Sequence, residues 1–133
     1  MNRETRKLLI VDDVEINRTL LNAIFEAEGY TVVNACDGRE ALELIDDQRF
    51  DAVIADAFMP RMDGFELCEE IRSTPSVASM PFIMVSNSNV ICTDPHTARA
   101  AGVTVFLRRP IASKVVVAAV RAAIDRATLC RAA

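Results

Sequence analysis

The chain has 133 residues, half of them apolar and a quarter charged, with a net charge of −4. That is enough chain for one domain with its own core, while the acidic balance and the absence of Trp exclude a basic nucleic-acid face and a base-stacking platform. Cys36, Cys68, Cys92 and Cys130 lie too far apart for zinc spacings, and His96 is the only histidine, so buried thiols are expected rather than a metal or disulfide framework.

In chain order, "MNRETRK" is basic, but the apolar stretch after it is too short for a signal peptide, and no stretch is long enough to span a membrane. A cytoplasmic protein with no membrane contact is expected. Short apolar runs rich in β-branched side chains follow at residues 8–11, 30–35, 52–55, 82–85 and 103–107, as strands of a parallel sheet buried on both faces require. Between them lie helical patterns with recognisable ends. Ile16, Leu20 and Ile24 recur at helical spacing and Gly29 stops that helix. Asp37 and Glu40 make a capping box ahead of Ala41, Leu42 and Ile45. Asp63-Gly64 opens a helix through Phe65, Leu67 and Ile71 that ends before Pro75. Asp94-Pro95 reads as a helix start with Gly102 as its stop, and a last helix runs from about Ser113 to Cys130. This alternation predicts an α/β fold, an open parallel sheet with helices on both faces, as one domain over residues 1–133 with a core at about 6–128.

In such a sheet, ligands bind beyond the carboxyl ends of the strands. Those ends carry Asp12 and Asp13, Asp56, Ser86, and Arg108 with Arg109 before Pro110. Adjacent carboxylates such as Asp12 and Asp13 repel by about 3 kcal/mol at an intermediate dielectric, so the lip of the first strand asks for positive charge. Hard oxygen donors suit Mg²⁺. A cation with a strand-end guanidinium could stabilise a phosphoryl group in transfer, with Asp56 as the nucleophile.

"LLIVDD", "VIADAFMPRMDGFEL", "PFIMVS" and "AGVTVFLRRP", in this order and spacing, resemble the receiver (phosphoacceptor) domain of bacterial two-component response regulators over essentially the whole chain. The resemblance implies a flavodoxin-like (βα)5 fold with strand order 2-1-3-4-5. It implies that Asp56 takes a phosphoryl group from a phosphohistidine of a sensor histidine kinase or histidine phosphotransfer protein. Asp13, Asp56 and the backbone carbonyl of Phe58 would hold Mg²⁺ (or Mn²⁺), with Asp12 supporting through water. Ser86 would bond the phosphoryl oxygen, Arg109 would stand at the conserved cation's place, and Phe106 would turn inward as the switch aromatic. The activity so implied is self-phosphorylation followed by slow autophosphatase release, with a downstream protein target.

Two positions depart from the family pattern. Arg109 replaces the usual Lys, a planar fork in place of a compact charge, and Asn87 replaces a small Ala. The segment "SNSNVICTDPHTARAAG" is also slightly longer than the family norm. These changes favour, as the alternative function, a receiver-like docking module with weakened or phosphorylation-independent switching. A flavin or dinucleotide protein fails on the first loop, since "VDDVE" offers acids where a phosphate cradle needs glycines and hydroxyls. A dehalogenase-type phosphatase fails because Phe58 occupies the position of its second Asp. "VVVAAV" at 115–120 is apolar all round, which raises homodimer formation through the last helix. His96 follows a helix-starting Pro and is expected to be inert. The short tail "RATLCRAA" is compatible with a stand-alone receiver or with one cut from a longer chain; for a stand-alone receiver, protein contact rather than direct nucleic-acid binding is the expected output.

Overall fold

A computed structural model describes residues 6–86 and 102–132. Its sheet has five parallel strands: β1 (Lys7–Val11), β2 (Thr31–Ala35), β3 (Ala52–Asp56), β4 (Phe82–Ser86) and β5 (Val105–Arg108). Their order is β2-β1-β3-β4-β5, as the resemblance implies, and all neighbours are parallel, as the alternation predicts. The described helices are α1 (Glu15–Ala27), α2 (Gly38–Asp47), α3 (Gly64–Arg72) and α4 (Ser113–Ala132), with one 3₁₀ turn at Pro75–Val77. The helix expected after Asp94-Pro95, together with Asn87, Cys92 and His96, lies outside the described residues.

Side chains alternate across the three central strands, and each face of the sheet has its own core. Leu9, Val11, Val53, Ala55, Phe82 and Met84 pack with Leu67, Cys68 and Ile71 on one face. Leu8, Ile10, Ile54, Ile83 and Val85 pack with Phe25, Val116, Val120 and Ile124 on the other. Both layers are fully buried, which is why the strands read as unbroken apolar runs. The edge strands correct the expectation of burial on both faces: Thr31 and Arg108 are exposed and the middle of each edge strand is half-buried, because an edge has a neighbour on one side only.

The first helix is rotated from the stripe expected of it. Leu21 and Phe25 are buried, whereas Ile16 is 60% and Leu20 57% exposed. Positions 16, 20, 24 and positions 17, 21, 25 are neighbouring rows, and the row carrying the aromatic ring takes the core. Phe25 meets Tyr30 edge to face at 5.2 Å between centroids. Burying a ring of that size contributes about 3 kcal/mol at most. The helix end supports the same contact. Gly29 has φ +91°, its N–H donates to the Glu26 carbonyl and that of Tyr30 to Phe25, a Schellman cap whose flanking residues are the two stacked rings.

At α2, Asp37 accepts from the Glu40 N–H at 2.9 Å, but Glu40 accepts from Cys36 N–H rather than from Asp37, so the expected capping box is displaced by one residue. The complete box is at α3, where Asp63 and Glu66 each accept the other's backbone N–H. Cys68 is buried as expected, but Cys36 is exposed, since it lies just beyond the end of β2. On α4, Val116, Val117, Val120 and Ile124 face the sheet while Val115 is half exposed, so the "VVVAAV" stretch is apolar all round in sequence but one-sided in burial. Among the described residues no helix is long and apolar enough to cross a membrane.

Candidate functional site

The site forms where the central strands stop. Asp12 and Asp13 follow β1 directly, Asp56 is the last residue of β3 and Ser86 the last of β4. Parallel pairing brings these ends level, with Asp56 opposite Val85 and Ser86 opposite Arg108. One carboxylate oxygen from each of Asp12, Asp13 and Asp56 lies within 4.8 Å of the others. This is the cluster that the sequence reading assembled.

The three acids differ in setting. Asp12 is only 1% exposed, and its Oδ1 accepts the Val14 N–H at 2.9 Å. Its Oδ2 accepts from Arg109 Nη2 at 2.9 Å, while Arg18 donates to its backbone carbonyl. Asp13 is exposed. Asp56 is partly buried, and its carboxyl is pushed up to about 6, chiefly by burial and then by the neighbouring Asp12 charge; Arg109, the Phe58 N–H and Asp13 make smaller contributions, the first two opposing the rise. A carboxyl raised in this way beside two other carboxylates is a common signature of a functional site.

Arg109 follows β5, its own N–H donating to the Ser86 carbonyl. Its guanidinium therefore lies over the acids, bonded to Asp12, with Nη1 at 3.9 Å from Asp56 Oδ1 and without a hydrogen-bond partner among the described residues. Arg108, by contrast, is exposed. Ser86 is buried. Phe106 is half-buried against the α2–α3 face of the core, across from Met84. Phe58 is 49% exposed and stacks edge to face with Phe65.

The sequence reading missed two residues that shape this edge. Gly64 was taken only as part of a helix start, yet a Cβ there would lie 2.4 Å from the Asp56 carbonyl oxygen. Only glycine lets α3 begin against the end of β3. Arg61, inside "MPRMDG", bonds Asp37 through Nε at 3.0 Å and Nη2 at 2.9 Å. A positive charge between the proline and the Asp-Gly of that motif was its one sequence signal.

A sequence profile described as the response regulator receiver domain matches residues 8–121. The response regulator MprA of Mycolicibacterium vanbaalenii is 36% identical over 122 residues, which are 92% of this chain and 52% of that protein. The chain thus spans about half the length of the curated relatives it matches first. Among solved structures, the Vibrio cholerae chemotaxis protein CheY4 is 30% identical with a TM-score of 0.81, covering 90% of this chain and 99% of that one. The receiver domain of the Pseudomonas aeruginosa sensor histidine kinase PA1611, whose structure has a magnesium ion coordinated in the active-site cleft, is 26% identical with a TM-score of 0.83, covering 92% and 99%.

Proposed function

The chain belongs to the response regulator receiver domain family of two-component signalling, and on that premise we propose that it accepts a phosphoryl group on Asp56 and thereby changes its contacts with a downstream protein. The donor would be a phosphohistidine of a sensor histidine kinase or a histidine phosphotransfer protein. The observation that carries the reading is the convergence of Asp12, Asp13 and Asp56 within 4.8 Å beneath the Arg109 guanidinium.

The donor set fits a hard divalent cation. It offers only carboxylate oxygens, at mutual distances one ion can bridge, on strand ends that hold them in place. Asp12, Asp13, Asp56 and the Phe58 backbone carbonyl would hold Mg²⁺ or Mn²⁺. When bound, such an ion neutralises the acids and the charge on the phosphoryl oxygens. The chain's own residues do the rest. Asp56, ionised above about pH 6, attacks phosphorus in line as the P–N bond breaks, and the departing imidazole takes a proton. Arg109 Nη1, already aimed toward Asp56, receives a phosphoryl oxygen, and the Ser86 hydroxyl at the adjacent strand end donates to another. Phe106, on the strand beyond, follows that shift inward.

Around the pocket, Val14, Ile16, Leu20 and Phe58 are exposed apolar side chains, a surface suited to burial against the donor protein. The test is intact-protein mass after incubation with acetyl phosphate and Mg²⁺. A gain of one phosphoryl group in wild type and none in Asp56→Ala supports the reading. No gain in a protein that binds Mg²⁺ favours the phosphorylation-independent docking module instead.

A further inference from the structure

The loop between β3 and α3, residues 57–63, carries the Phe58 peptide next to Asp56. It closes on itself where the Gly64 N–H donates to the Ala57 carbonyl at 2.9 Å. At the base, the Ala57 N–H is tied to the Val85 carbonyl at 3.0 Å, and Met59 is buried in the core. Those bonds fix the root of the loop but leave its outer end unheld. That end is fastened to a different part of the fold. Met62 packs so closely on Gly38 that a Cβ there would lie 2.7 Å from Met62 Cγ. Beside it, Arg61 places Nε and Nη2 on one carboxylate oxygen of Asp37, at 3.0 and 2.9 Å.

Both partners of that ion pair are in unusual states. Arg61 has φ +69° and is the non-glycine residue with positive φ among those described. An L-residue keeps that conformation where its surroundings hold it there. Asp37 is nearly buried and caps α2 with its other oxygen. The Glu40 N–H, chiefly, and Arg61 hold its carboxyl below the usual range. The acceptor loop is therefore latched to the N-terminus of α2 by a charged bond, beyond the covalent chain and the core.

We propose that Arg61 is a positioning residue for the cation site: its ion pair with Asp37 holds the loop so that the Phe58 peptide faces Asp56. The proposal rests on the reading that a divalent cation binds between Asp12, Asp13 and Asp56 with the Phe58 carbonyl. Arg61 touches neither acceptor nor cation and acts through the backbone. The same latch makes the β2–α2 turn, remote in sequence from the acids, a determinant of cation affinity.

The experiment is a calorimetric titration of the full chain with Mg²⁺ alone, paired with thermal unfolding in EDTA. Arg61→Gly is the informative variant, because glycine accepts φ +69° without strain and removes only the latch. Its Mg²⁺ affinity is expected to fall about two- to fivefold, within the range for an ion pair whose arginine is largely exposed, with Tm in EDTA little changed. Asp37→Asn, which keeps a helix-capping oxygen, should weaken Mg²⁺ to a similar degree, with no further loss in the double variant, and Arg61→Lys should recover most of the affinity. Unchanged Mg²⁺ affinity in both Arg61→Gly and Asp37→Asn, in a chain whose wild type binds Mg²⁺, overturns the positioning role alone. Wild type that fails to bind Mg²⁺ overturns the cation reading itself, and the positioning role with it.

Discussion

Replacing Asp56 with Asn should stabilise the metal-free protein, and the gain should depend on pH in a specific direction. The Asp56 carboxyl is raised from 3.8 to about 6, first by burial and then by Asp12. The folded chain therefore keeps its proton between those values while the unfolded chain has lost it, so stability falls as pH rises from about 4 to 6 and then levels off. The full rise corresponds to about 3 kcal/mol at pH 8. Asn removes the charge and escapes that cost. For a domain of this size about 1 kcal/mol moves Tm by about 4 °C, so Asp56→Asn should melt roughly 10 °C above wild type at pH 8 and only slightly above it near pH 4. The assay is thermal unfolding followed by circular dichroism in EDTA across that range. Saturating Mg²⁺ should then raise the wild-type Tm and move the variant much less. A difference between the two proteins that is independent of pH, or a variant less stable than wild type at pH 8 without metal, would refute this account of the electrostatics.

Further predictions concern the frame around the acids. Gly64→Ala would put a methyl group 2.4 Å from the Asp56 carbonyl oxygen, and the backbone shift required should cost about 3 kcal/mol, read as a lower denaturation midpoint in urea. Arg109→Met leaves the buried Asp12 carboxylate without its cation, and should lower metal-free stability by about 3 kcal/mol. At saturating Mg²⁺ the same variant should still fold but label more slowly with acetyl phosphate. Arg72 donates to the carbonyls of Ala78, Met80 and Gly102, tying the approaches to β4 and β5 together. Arg72→Ala should cost about 3 kcal/mol by leaving those acceptors unmet, measured by chemical unfolding.

What the sequence made legible follows the simplest physics. Runs such as "LLIV" and "AVIA" are buried on both faces, so their ends are marked by the first polar residue, and Asp12, Asp56 and Ser86 could be placed without coordinates. Helix ends were readable where a cap is local, as at Gly29 and Asp63. The rotation of α1 was not, because Ile16-Leu20-Ile24 and Leu21-Phe25 satisfy the same period, and only packing of Phe25 on Tyr30 separates them. Arg109 was placed at the site, but its closer bond to Asp12 than to Asp56 depends on where β5 ends. The Arg61–Asp37 pair joins residues 24 positions apart across two loops, a distance that no periodicity or capping rule spans. Gly64 was seen as a turn residue, while its contact with the Asp56 carbonyl is a property of the folded backbone.

The claim on which the account depends is that Asp56, and not Asp12 or Asp13, takes the phosphoryl group. Borohydride reduction after acetyl phosphate treatment converts an aspartyl phosphate to homoserine. Trypsin then separates the peptide of residues 50–61 from the one carrying Asp12 and Asp13, and fragment ions distinguish Asp56 from Asp51. The account predicts homoserine at position 56 alone, dependent on Mg²⁺. Homoserine at position 12 or 13, or none at 56 in Mg²⁺-bound protein, would contradict it.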